Sequence, residues 1–311
     1  MSLPFLTSRF RFEDRAGLPV WPNGAKMAVL VYTAPEEWLW DEREPFLPPG
    51  TFAAGTRPLS YSARTGVDYG YTVGLRRLRE VYRRFDMKVT LWTSGNTVET
   101  HRDLLADLAA DGHEISAHAY SQGRPMSFQD AAEQKETIAR TSELITELTG
   151  TPPKGWIGPV AEATADTIEL LAGAGFEYNA DLQDDELPYF LRAAGRWLLV
   201  IPYRKIGNIN DLPLFTRNVQ SVSSGISYLK EAFDAYHREA QTRPLMFNYG
   251  THPHVSGRPD NAYVLSTFLE YVHEHDDVWV TSYAGICDWW KQRYESLVPA
   301  GGGDLPAGTL R

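Results

Sequence analysis

GLRRLREVYRRFDMKVTLWTSGNTVETHRDLLADLAADGHEISAHAYSQ, running from Gly74 to Gln122, reads as helix, strand, helix, strand. Gly74–Phe85 sets apolar residues at helical spacing with arginines between them, which makes an amphipathic helix. Lys88–Trp92 is strand-like. Thr100–Asp111 opens on a capping threonine and stops at Gly112, a residue suited to end a helix. Glu114–His118 is a second short strand. Parallel strands joined by crossover helices produce this alternation.

The same period extends outward in both directions. Upstream, Lys26–Tyr32 (KMAVLVY) reads as a buried strand. Downstream, Ser127–Thr149 and Thr164–Gly173 read as helices, the second stopping at its glycine. Phe176–Leu182, Trp197–Pro202 and Leu245–Tyr249 are strand candidates, Asn261–His275 a helix and Val278–Thr281 a last strand. Seven or eight such units predict an α/β fold of the (β/α)-barrel type, distorted or seven-stranded. No glycine-rich phosphate turn follows the first strand, which argues against a dinucleotide-binding open sheet. A chain of 311 residues is of the size of one barrel domain. We assign residues 1–298 to that domain, 41–71 to a long insertion loop without clear period, and 299–311 to a flexible tail.

Composition narrows the function. With 43% hydrophobic and 23% charged residues the chain is globular. Its net charge of −10 repels phosphate backbones, so no nucleic-acid partner is expected. The one cysteine, Cys287, cannot build a disulfide within the chain or a cysteine-rich zinc site, and reads as a small buried hydrophobe. No apolar run approaches the ~20 residues that span a bilayer. The first residues lack the features of a secretory signal, so a cytoplasmic protein without membrane partners is expected.

In a barrel, chemistry gathers where strands end. Pro35, Glu36, Glu37 and Trp38 follow the first strand. His118, Tyr120, Ser121 and Gln122 follow the third, and Pro159 the fourth. Asp181, Asp184 and Asp185 follow the fifth, and His252 and His254 the seventh. Two adjacent carboxylates in a partly apolar pocket can have their pKa values driven apart, leaving one as a base. His252, ending a strand before the turn-rich VSGRPDN, reads as functional. His254 reads as a pocket liner or an exposed residue, His113 as structural, and His101, His237, His273 and His275 as surface residues. Trp38, Trp40, Trp156, Tyr120 and Tyr189 offer aromatic faces suited to a sugar or a flat heterocycle, whereas Trp92 and Trp279 read as core.

WPNGAKMAVLVYTAPEEW (Trp21–Trp38), DYGYTVGLRRLREVYRRFDMKVTLWTSG (Asp68–Gly95), DGHEISAHAYSQ (Asp111–Gln122), the run from Gly155 to Tyr189, THPHVSGRP (Thr251–Pro259) and HDDVWVTSYAGICDWW (His275–Trp290) together resemble the polysaccharide deacetylase (NodB-homology) superfamily. The likeness is nearest to its branch of metal-independent allantoinases and cytoplasmic peptidoglycan deacetylase-like proteins. It implies a hydrolase of non-peptide carbon–nitrogen bonds. Glu36 then matches the acidic base and Glu37 an acidic metal ligand. His118 matches the first of two histidine ligands, and Gln122 stands where the second belongs. Ile157 replaces an arginine, and Pro159 is kept. His252 matches the general acid, with Asp184 or Asp185 orienting it.

An amide is a poor transition-metal ligand beside imidazole. No cofactor is therefore favoured, with zinc or another divalent metal on Glu37 and His118 as the alternative. The expected substrate is a small amide, ureide or N-acetyl compound, bound by Trp38, Tyr120, Gln122, Trp156, Pro159, Tyr189 and His254. A metal-dependent N-acetyl-sugar or peptidoglycan deacetylase and a non-catalytic binder are the other readings. The resemblance also implies a homo-oligomer.

Overall fold

The computed structural model describes residues 6–18, 20–39, 61–203, 209–215 and 221–298. Trp40, residues 41–60 of the expected insertion and the tail from residue 299 lie outside the described residues.

A short strand β1 (Thr7–Ser8) precedes β2 (Met27–Thr33), which is buried along its whole length, as a parallel strand covered on both faces must be. The chain resumes as helix α1 (Tyr61–Tyr69) and passes through a π turn (Gly70–Gly74) into α2 (Leu75–Arg84). Tyr61–Tyr71 is thus helical and not part of an irregular insertion. Gly66, Gly70 and Thr65 are weak helix formers, so tertiary packing decides here. Close packing is visible at Gly74, where an added Cβ would lie 2.0 Å from the Pro253 carbonyl oxygen.

Strand β3 (Thr90–Thr93) leads into α3 (Gly95–Thr100) and α4 (Arg102–Ala110), and β4 (Glu114–Ala117) follows. Helix α5 (Ala131–Thr149) starts later than Ser127. Asp130 accepts the Ala132 and Glu133 amides while Glu133 returns to the Asp130 amide, a reciprocal cap. After β5 (Gly155–Trp156), α6 (Ala165–Ala174) runs past Gly173 to stop at Gly175, which adopts φ 90°. Then come β6 (Tyr178–Asn179), β7 (Tyr189–Ala193) and β8 (Arg196–Val200). The antiparallel β7–β8 hairpin turns on Ala194 and Gly195, both left-handed. Neither β7 nor helix α8, below, is anticipated from the sequence. The remaining elements are α7 (Asp211–Pro213), α8 (Val222–Ala240), β9 (Leu245–Thr251), α9 (Pro259–Val272), β10 (Val278–Thr281) and α10 (Tyr283–Tyr294).

Among the described residues eight strands run parallel: seven in the order β9-β2-β3-β4-β5-β6-β8, and β10 beside the start of β2. Strand β2 carries β9 along one edge. Its other edge is shared, β10 pairing with Met27–Leu30 and β3 with Tyr32–Thr33. Among the described residues no ladder joins β8 to β9. Asn248 Nδ2 donates to the Pro202 carbonyl (3.2 Å) across that seam, and Tyr32 donates to the Tyr203 hydroxyl (2.9 Å). The barrel is therefore distorted and open at one side.

Alternation along β2 divides the core. Met27, Val29 and Val31 join a cluster with Leu75, Leu78 and Phe268 of the surrounding helices. Ala28, Leu30 and Tyr32 join the cluster of Trp92, Tyr178, Leu199 and Tyr283. Cys287 is buried there, as expected, and burial pushes its thiol up.

Candidate active site

The period of two continues beyond β2 and separates the acidic pair. Glu36 turns to the barrel mouth, where its Oε1 lies 3.2 Å from His118 Nε2, 2.9 Å from Gln122 Nε2 and 3.5 Å from His252 Nε2. Glu37 turns the other way, to Arg64 (2.7 Å) and His101 Nε2 (3.4 Å). The two carboxylates do not share a pocket, because successive side chains of an extended segment leave on opposite sides.

His118 is set by the end of β4. Its amide bonds to the Thr93 carbonyl (3.0 Å), and its Nδ1 meets the Ile157 carbonyl at 2.7 Å. A carbonyl only accepts, so Nδ1 is the donor and Nε2 faces Glu36. The backbone turns sharply on both sides of this contact. Ala119, Val160 and Ala161 all have positive φ (53°, 55° and 48°), a strained state for residues with a Cβ, and most so for β-branched Val160.

His252 is set by the end of β9. Its Nδ1 lies 2.6 Å from Asp211 Oδ1. The other Asp211 oxygen accepts the His252 amide (2.6 Å), the Ser256 amide (3.1 Å) and the Ser256 hydroxyl (2.6 Å). Asp211 is fully buried and delivered by α7, beside the Asn210–Gly250 bridge that extends the sheet past β9. It takes the orienting place expected of Asp184 or Asp185. Those two bind the N-terminal segment instead: Arg9 reaches Asp184 at 2.9 Å, and Arg15 reaches Asp185 at 2.8 Å.

Electrostatics follow from this packing. Burial alone would raise the Glu36 carboxyl, but His252 and His118 hold it well below the usual carboxylate range. For His252, burial opposes the imidazolium, yet Asp211 and Glu36 prevail and raise it to about 10. His254, whose ring centroid is 5.7 Å from that of His252, is pushed down to about 4 by burial and then by the His252 charge. At neutral pH the site therefore holds a carboxylate, an imidazolium and a neutral imidazole.

The remaining expected site residues divide. Trp38 presents its ring edge-on to His254 (6.4 Å). Pro159 is buried and opens the turn after the His118 contact. Tyr120 is turned away, its hydroxyl donating to Glu99 at the surface (2.8 Å). Trp156 faces the helices and packs edge-on to Phe176 (5.7 Å), so it belongs to the core. Tyr189 donates to Asp184 (2.6 Å) and lies under the Arg9 guanidinium. For these three the side of the strand or loop was misjudged. His113 is structural, accepting the Val89 amide at 3.2 Å. His101 is no surface residue: it stacks on Tyr71 at 3.8 Å.

The sequence reading missed Asp211, Arg64, His101 and Tyr71. The hint for Asp211 was its NDLP context, an acid behind an asparagine that caps a helical turn. Nothing local points to Arg64.

The donors present do not fit a divalent metal. Glu37 is paired with a guanidinium, and Gln122 offers only an amide oxygen, so His118 Nε2 is the one strong nitrogen ligand left beside Glu36. Among the described residues, only Glu177, Cys287 and Asp288 bring three such ligand atoms within 4.8 Å of one another, and Lys291 and Lys154 already pair with those acids. Among the described residues no helix is long and apolar enough to cross a membrane.

Residues 64–179 match the family described as Polysaccharide deacetylase. A peptidoglycan deacetylase of Helicobacter pylori is 27% identical over 67% of this chain and 81% of its own length. Among solved structures, a probable polysaccharide deacetylase of Pseudomonas aeruginosa is 28% identical (TM-score 0.79, covering 89% of this chain and 94% of that one). A structure named Puue Allantoinase is 29% identical (TM-score 0.79, covering 88% and 93%). Fold, site and these likenesses agree: residues 64–179 match a polysaccharide deacetylase domain, and the chain is similar in sequence and fold to proteins named as deacetylases and as an allantoinase.

Proposed function

We propose that this protein hydrolyses a carbon–nitrogen bond of a small amide or ureide by metal-free acid–base catalysis. The convergence of His118, Gln122 and His252 on one oxygen of Glu36, with Asp211 behind His252, carries the reading. Glu36 takes a proton from water as the water oxygen bonds to the carbonyl carbon. A Gln122 Nε2–H, released as Glu36 takes up its proton, donates to the carbonyl oxygen of the resulting tetrahedral adduct. His252 then gives the Nε2 proton to the leaving nitrogen as the carbon–nitrogen bond breaks, and the Glu36 proton passes to His252 or to solvent. Once Glu36 is protonated, His252 keeps only Asp211 as an anionic neighbour, so its proton becomes easier to release at that moment.

Two observations support a small substrate with an N–H group. Gln122 Oε1 is buried without a hydrogen-bond partner among the described residues, so a substrate N–H would satisfy it. A cavity of about 400 Å³ adjoins His254, Leu212, Phe215 and Arg258, within the size range of small-molecule sites. The likeness to an allantoinase structure supports a cyclic ureide. The likeness to a peptidoglycan deacetylase supports an N-acetyl sugar as the second reading.

Acid release from cyclic ureides and acetate release from N-acetyl sugars, followed on one preparation stripped of metal by chelator, separate the two. Ureide turnover alone is expected. Acetate alone would favour the second reading, and binding without any turnover would overturn both. Asp211→Asn is expected to lower kcat/KM by roughly 100-fold or more, because the amide cannot hold His252 as an anion does. Asp184→Asn should leave it within about twofold, since that residue serves the N-terminal segment. Equal losses in steady-state assays of the two variants would refute the assignment of Asp211.

A further inference from the structure

Arg64 is the largest feature of the site that the mechanism leaves unused. It rises from α1, and its Nη2 pairs with Glu37 Oε1 at 2.7 Å, the two side chains being 18% and 2% exposed. Its Nη1 donates to the Trp38 carbonyl at 2.7 Å. One guanidinium thus clamps consecutive residues of the segment that also carries Glu36. Around it, His101 sits 3.4 Å from the other Glu37 oxygen and stacks on Tyr71, whose hydroxyl donates to the Glu36 carbonyl at 2.7 Å. Two side chains, Arg64 and His101, close on a carboxylate that the proposed chemistry does not need as a base, and Tyr71 backs His101.

A buried carboxylate needs a cation or a proton. We propose that Arg64 is the internal counter-cation of this site: it supplies the positive charge that a divalent metal would bring to Glu37, keeps that carboxylate turned away from His118, and excludes the metal by charge. A guanidinium suits this task, because it does not lose its proton. A divalent ion entering beside it would meet like charge in a poorly screened pocket. Gln122 and Arg64 then act in the same sense, one offering no imidazole and the other a cation. Arg64 is a positioning residue, since it touches Glu37 and the backbone and not the reacting atoms. The inference rests in part on the proposed function, in which Glu36 and not Glu37 is the base. Its test needs no substrate, so its failure is distinct from failure of the hydrolase reading.

Zinc chloride uptake, measured by equilibrium dialysis and metal analysis, tests it on full-length variants. Gln122→His alone restores a histidine but keeps the guanidinium, and is expected to bind zinc roughly 100-fold more weakly than Gln122→His/Arg64→Met. The double variant is expected to take up about one zinc per chain, as the freed carboxylate joins two histidines. Methionine keeps the apolar stem of the arginine. Where it lowers the melting temperature, Arg64→Gln, which retains a donor to the Trp38 carbonyl, replaces it. Gln122→His/Arg64→Lys keeps the charge and is expected to stay metal-poor, which separates charge from shape. Equal zinc affinity of Gln122→His and the double variant, or stoichiometric zinc in the lysine variant, would overturn the proposal. So would a folded double variant that binds none, because Glu37 would then not be the carboxylate that Arg64 withholds.

Discussion

His252→Ala is expected to reduce kcat/KM by roughly 10²–10⁴, the usual worth of a proton donor in place. His252 is held as an imidazolium with its Nε2 3.5 Å from Glu36 Oε1, and His254 cannot replace it because burial pushes that ring down to about 4. The fold should survive. Asp211 loses one partner but keeps the backbone amide at position 252 and both donors of Ser256. A stability loss of about 3–5 kcal/mol is expected, the cost of leaving the buried Asp211 carboxylate without its cation. Steady-state kinetics beside a thermal melt decide the matter. Turnover within threefold of the parent protein in a normally folded variant would remove His252 from the mechanism.

Glu36→Gln is expected to cost a similar factor in turnover and, in addition, to change how stability depends on pH. In the parent protein His252 has a folded-state pKa of about 10 against an ordinary value of 6.5. Its contribution to stability is complete below pH 6.5 and is lost as pH rises towards about 10. Glu36 is shifted the opposite way, from 4.5 downwards, so its contribution is present above pH 4.5 and is lost on acidification. The melting temperature should therefore be highest between about pH 4.5 and 6.5 and decline on the alkaline side. Without the Glu36 charge, His252 loses one of the two anions that hold its proton. The alkaline decline should still begin near pH 6.5 but end at lower pH, with a smaller total loss. A melting profile of Glu36→Gln that overlays the parent above pH 6.5 would show that the two groups are not coupled.

How the histidines are held also explains which residues were legible beforehand. Glu36, His118 and His252 each follow directly on a strand, so the strand pattern places them at one end of the barrel. Gln122 was marked by its departure from the expected ligand. Asp211 follows no long apolar run and lies 41 residues before the histidine it orients. Asp184 and Asp185 looked better placed because they follow β6, but two arginines near the N-terminus hold them. Trp156 was mistaken for a pocket residue because a strand end leaves open which face a side chain takes. In the structure it lies on the helix side of the sheet.

From sequence alone came the alternation of strands and helices, the barrel class, the end of the sheet at which chemistry collects, and the residues that terminate strands there. These depend on local periodicity, which a short window of residues contains. Only the tertiary structure decided that Glu36 and Glu37 part company, that Asp211 stands behind His252, and that Arg64 and His101 close on Glu37. Those pairings join elements far apart in the chain, and partial burial of charge is what gives them their force. Burial and distance between remote segments are properties of the packed barrel, and no local pattern of residues encodes them.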